Sequence, residues 1–142
     1  MKITGVKKIE TKTFKNPKGD LLKFVSKKNS YFKSFGEIYF TEINYKKEKG
    51  WIKHKKNQCI ISVAYGEVNF KLIDDRKKSK TFGKEECIKL NKNKHSVLII
   101  PPGVWFSFTT FKKRSILVNL INSVHSDNET LRSNKVKNHY IK

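Results

Sequence analysis

No stretch of this 142-residue chain repeats apolar residues at the 3.6-residue period of an amphipathic helix, and that absence constrains the fold most. Short alternating or apolar runs recur instead, separated by turn chemistry, the pattern of an all-β sandwich or barrel. "LLKFV" (21–25) follows the turn "NPKGD", "EIYFTEINY" spans 37–45, and "WIKHK" opens a further strand at 51. "CIISVAY" (59–65) and "EVNFKLI" (67–73) flank Gly66, where a positive-φ glycine closes a tight hairpin. "EECIKL" leads through "NKNKH" into "SVLII", "PPG" interrupts the pattern before "VWFSFTTF", and "SILVNLI" (115–121) ends the series. About nine strands are predicted, followed by a polar stretch read as a short helix or a loose tail. No repeat or linker divides the chain, so one domain is expected, with its core over about 5–125 and the tail over 126–142.

Charge comes next, because a net +20 invites a nucleic-acid reading. Only Arg76, Arg114 and Arg132 are arginines among 32 basic residues, and the lysines lie in every segment. A base reader uses arginine forks and a recognition helix, and neither pattern is present. Direct nucleic-acid binding is therefore disfavoured against a diffuse positive field that attracts phosphorylated small molecules. No run approaches the roughly 18 to 20 apolar residues of a membrane span, and "MKITGVKKIE" lacks a signal-peptide core. A soluble, cytoplasmic protein without membrane contact is expected, with Cys59 and Cys87 as reduced strand residues.

This many short strands in one small unit suggest the cupin double-stranded β-helix, a jelly roll. In such a barrel an alternating strand points every second side chain into the lumen. The strand from 51 then presents either Trp51, Lys53 and Lys55 inward, or Ile52, His54, Lys56, Gln58 and Ile60. The second set begins and ends apolar, so His54 and Lys56 are expected to face the cavity. A metal-binding cupin pairs two histidines as HxH and adds a third after a PxG turn. Here Lys56 occupies the pair position and would repel a divalent ion, while Trp105 or Phe106 follows the turn. The expectation is a site with no metal and no cofactor.

The hairpin glycine Gly66, "DDR" ending at Arg76, "TFGK" (81–84), "IPPG" (100–103) and Phe108 occur in an order and spacing that resembles the dTDP-4-dehydrorhamnose 3,5-epimerases. These are metal-independent cupins of nucleotide-sugar metabolism. "NPKGD" resembles that family's Asp-x-Arg-Gly turn, with Lys18 in the arginine place, and "FTEIN" resembles its Phe-x-Gln-x-Asn strand, with Glu42 and Asn44. The likeness covers about residues 5 to 125. It implies a dTDP-linked 4-keto-6-deoxy sugar as substrate, a role in surface polysaccharide synthesis, and homodimers formed by strand exchange. It also implies that His54 is the catalytic base. The family's tyrosine falls at Asn119 here, its second histidine at Phe106, and its lysine near Gln58 or Cys59.

Epimerisation next to a ketone needs a base near a carbon acid, donors at the developing enolate oxygen, and an acid on the other ring face. His54 suits the base. Lys56 or Lys53 would stabilise the enolate. Asn119 would orient a sugar hydroxyl but supplies no proton. Arg76 would either bind Asp74 or reach a pyrophosphate. Trp51 and Trp105 read first as core, with Trp105 also placed to stack on a base or sugar ring. With no acid in sight, three readings stay open: an epimerase, a 3,4-ketoisomerase of the same substrates, or a non-catalytic basic binder of sugar nucleotides or nucleic acid.

Overall fold

The computed structural model describes residues 2–134. Twelve strands follow one another: β1 (Lys7–Glu10), β2 (Thr13–Phe14), β3 (Leu21–Leu22), β4 (Glu37–Asn44), β5 (Glu48–His54), β6 (Cys59–Tyr65), β7 (Glu67–Asp74), β8 (Glu85–Asn91), β9 (Ser96–Ile100), β10 (Val104–Thr109), β11 (Arg114–Ile121) and β12 (Thr130–Arg132). Two five-stranded sheets, ordered β1-β9-β6-β11-β4 and β12-β5-β10-β7-β8, face each other, and β2 and β3 form a small hairpin beside them. Every pairing is antiparallel. The fold is the all-β jelly roll that the strand pattern predicts.

Period-2 alternation decides what each strand buries. On β7, Val68, Phe70 and Leu72 point between the sheets, where they meet Leu90, Leu98, Ile100 and Phe108. The first sheet is also covered on its outer side, where Phe24, Val25, Tyr31 and Phe32 pack on Ile60, Val97, Ile99 and Leu120. That double cover explains why "SVLII" is buried at all five positions, as a strand with two dry faces must be. Cys59 is buried and Cys87 exposed, and both are free thiols.

Three features differ from expectation. "LLKFV" is a strand only at Leu21–Leu22, and its remainder leaves the ladder to cover the first sheet. The short β1 and β2, with few apolar residues, escaped the pattern. The polar stretch after 125 is neither helix nor loose tail where described: Thr130, Leu131 and Arg132 pair with His54, Lys53 and Ile52 of β5. The rest of that stretch, 135–142, lies outside the described residues.

Gly66 joins β6 to β7 at φ 84°, and a Cβ there would lie inside van der Waals contact of Ser115 Oγ. Ser115 Oγ in turn takes the Glu67 N–H and donates to the Glu67 carbonyl, at 3.0 and 2.9 Å. Gly66→Ala therefore combines left-handed strain with the loss of that clasp. It should cost about 3 kcal/mol, read as a lowered urea midpoint at unchanged m-value.

Candidate active site

The sheets part between β4, β5, β10 and β11, leaving an open cavity of about 550 Å³. One wall carries Ile52 and His54 from β5 and Phe106 and Phe108 from β10; the other carries Glu37, Tyr39 and Thr41 from β4 and Leu117 and Asn119 from β11. Apolar surface predominates, with a few convergent polar groups, as in a small-molecule site.

His54 ends β5, is 5% exposed, and stacks beside Phe106 with ring centroids 6.4 Å apart. Its Nδ1 lies 2.6 Å from Glu129 Oε1. Glu129 is itself anchored: Oε2 accepts the backbone N–H groups of Lys56 and Asn57 at 3.1 and 3.2 Å, and Oε1 accepts Asn57 Nδ2 at 3.1 Å. Burial pushes the Glu129 carboxyl up, but the bonds from His54, Lys56 and Asn57 outweigh it and hold the carboxyl at about 2. At neutral pH it is thus an acceptor only, so Nδ1 carries the ring proton and donates it. In the neutral form of the ring Nε2 is then the unprotonated nitrogen, and the ring lines the lumen. A histidine held in this tautomer by a buried carboxylate has the chemistry to act as a general base.

On the opposite wall Asn119 pairs in register with Tyr39, and its Nδ2 donates to the Tyr39 hydroxyl at 3.1 Å. Burial raises the Tyr39 phenol to about 12, with the Asn119 bond opposing the rise only in part. Asn119 is 4% exposed and its Oδ1 has no partner. Lys49, His125 and Arg132 add positive or titratable groups to the lining. Among the described residues, no three His, Cys, Asp or Glu side chains converge as a metal site would require.

Of the residues given a catalytic or binding role from the sequence, His54 and Asn119 line this cavity. Lys56 is exposed, because β5 ends at His54 and the alternation ends with it; only its backbone N–H serves the site, through Glu129. Gln58 likewise turns away to the Tyr31 carbonyl, and Ile60 packs on the outer side of its sheet. Lys53 lies on the outer face of β5, paired with Asp75 and set over the Trp105 ring. Trp105 packs there with Trp51 and Ile73 and donates Nε1–H to Asp75 Oδ2 at 3.0 Å, so Phe106 rather than Trp105 meets the lumen.

Arg76 grips Asp74 through Nε and Nη2 at 2.7 and 2.9 Å, the carboxylate contact that one of its two readings expects. That carboxyl is buried, which opposes ionisation, yet Arg76, Thr81 and Ser79 hold it well below its ordinary value. Glu42 and Asn44 are exposed on the outer side of β4, Glu42 against Arg114 at 3.2 Å. Lys18 is exposed in the turn between β2 and β3. Glu129 and Tyr39 were missed. Tyr39 had a signal, since it shares the inward parity of Thr41 and Ile43 on its strand.

Comparison with known proteins agrees with this geometry. Residues 1–136 match the family described as dTDP-4-dehydrorhamnose 3,5-epimerase. A dTDP sugar isomerase from Desulfovibrio desulfuricans G20 superposes with a TM-score of 0.90 at 26% identity, over 94% of this chain and 87% of that one. The 3,5-epimerase of Legionella pneumophila, solved with dTDP-4-keto-L-rhamnose, gives 0.88 at 17% identity over 100% and 79%. A sugar 3,4-ketoisomerase from Thermoanaerobacterium thermosaccharolyticum, solved with TDP, gives 0.77 at 22% identity over 97% and 93%. No curated protein sequence matches the chain significantly. An inward imidazole–carboxylate pair in a jelly-roll lumen and a match over nearly the whole length lead to one placement: the chain belongs to the dTDP-4-dehydrorhamnose 3,5-epimerase family of sugar-nucleotide isomerases.

Proposed function

We propose that His54 removes the proton next to the keto group of a dTDP-linked 4-keto-6-deoxy sugar, and that the proton is returned to the same carbon with inversion. The observation that carries this is the His54–Glu129 pair, a buried carboxylate 2.6 Å from an imidazole that lines an open, largely apolar cavity. An imidazole held by a carboxylate is matched to a carbon made acidic by an adjacent ketone. Phe106 and Phe108 set an apolar wall beside the reacting carbon.

The nucleotide moiety comes from family membership, and the cationic Lys49 and Arg132 in the lining suit its diphosphate. Exposed Ile38 and Phe40 on the outer face of the edge strand β4 support association with a second copy. Among the described residues no helix is long and apolar enough to cross a membrane, and a cytoplasmic enzyme of surface-polysaccharide synthesis fits the substrate.

A 3,4-ketoisomerase is a second reading, favoured by the concentration of the imidazole–carboxylate pair on one wall, where a single base moves a proton between neighbouring carbons. Incubation of dTDP-4-keto-6-deoxyglucose with the protein in deuterated water separates the two. The epimerase places deuterium on a carbon next to the ketone with inverted configuration; the ketoisomerase places the carbonyl at C3. Absence of both exchange and carbonyl migration would sink the proposal.

A further inference from the structure

The proposed inversion needs a proton from the ring face opposite His54, and the position at which the family carries a tyrosine holds Asn119. We infer that Tyr39 of β4 supplies that proton, held in place by Asn119, so that the phenol has moved across one rung of the ladder to the neighbouring strand. This rests on the proposed function and adds the acid and its positioning residue.

Three observations converge. Tyr39 and Asn119 are directly opposite each other on β4 and β11, and both line the cavity. They belong to one sheet while His54 belongs to the other, so a ring bound between the walls meets imidazole on one side and phenol on the other. The direction of the hydrogen bond matters most. Asn119 Nδ2 donates to the Tyr39 oxygen at 3.1 Å. The Tyr39 oxygen is therefore the acceptor in this bond, and its O–H is left to donate elsewhere. Asn119 Oδ1 is buried without a hydrogen-bond partner. The raised phenol also stays protonated across the working range, as an acid must.

The step balances. His54 Nε2 takes the proton as the C–H electron pair moves into the C=C bond of the enolate. The enolate then collapses to the ketone while its carbon takes the Tyr39 proton from the opposite side, leaving a phenolate. Water entering from the open cavity reprotonates the phenolate, and the imidazolium returns its proton to solvent.

The test is Tyr39→Phe, assayed with dTDP-4-keto-6-deoxyglucose in deuterated water with both product and recovered substrate followed by NMR. Inverted product should fall about 100-fold or more, while deuterium still enters recovered substrate with retained configuration, within about threefold of the wild-type rate. Asn119→Leu should lower product about tenfold with the same preserved exchange, a split that general loosening of the fold does not produce. Unchanged inversion in Tyr39→Phe overturns the assignment, and so does an equal fall of exchange and inversion, which would place the phenol at the enolate oxygen. Wild-type exchange without any inversion also overturns it and leaves the base intact. Exchange that survives His54→Asn instead removes the base reading, whatever Tyr39 does.

Discussion

His54→Asn should reduce turnover of the keto-sugar nucleotide by about 1000-fold and abolish solvent deuterium exchange, with thermal stability close to wild type. The substitution is chosen for what it preserves. Glu129 is 8% exposed and accepts four bonds besides the one from His54, so its carboxylate tolerates burial only while donors surround it. An asparagine amide keeps a donor near Oε1 but offers the lumen no basic nitrogen. His54→Ala is the contrasting control: it removes both the base and the donor, and should cost a further 1–3 kcal/mol or so of folding stability. Activity lost equally in both variants, with stability lost only in the alanine, assigns the imidazole to chemistry. Exchange retained in the asparagine variant would remove His54 from the reaction.

The sequence discloses that histidine because β5 follows the alternation rule up to its last residue, with Ile52 and His54 inward and Lys53 outward. The rule fails one residue pair later, at Lys56, because the chain bends there and no ladder holds the parity. The β6–β7 hairpin is legible for a similar local reason: Gly66 separates two runs that each bury one face. Trp105 misleads because its size suggests a ring platform, whereas strand parity gives the lumen to Phe106 and Phe108 on either side of Ser107.

Glu42 and Asn44 drew attention as motif matches and point outward, while Tyr39 and Thr41, with the inward parity of Ile43, carry the cavity face of that strand. Glu129 has no local signal at all. It sits 75 residues from His54 in a polar stretch, just before a three-residue strand too short to show a period. Only the pairing of β12 with β5 brings it to the site, and pairing across such a distance is a property of the closed barrel.

Glu129→Gln is expected to be nearly as damaging to catalysis as loss of the base, at about 1000-fold, although it changes one atom. Oε2 faces the N–H groups of Lys56 and Asn57, so the glutamine carbonyl is drawn to that side and the NH₂ to the imidazole. An NH₂ donor demands an acceptor at Nδ1, which moves the ring proton to Nε2 and leaves the lumen nitrogen unable to take one.

The same variant has a stability signature. The folded carboxyl is held at about 2 against an ordinary 4.5, so its contribution is complete above about 4.5 and disappears as pH falls through about 2. A shift of this size corresponds to about 3 kcal/mol. Wild type should lose that much between those pH values in urea titrations, whereas Glu129→Gln, with no proton to gain, should be flatter over the window. Some acid sensitivity remains in the variant because Asp74, also held below its ordinary value by Arg76, Thr81 and Ser79, still titrates. Equal slopes in the two proteins would mean that the Glu129 carboxylate is not held by the contacts that fix His54, and the tautomer argument would fall with it.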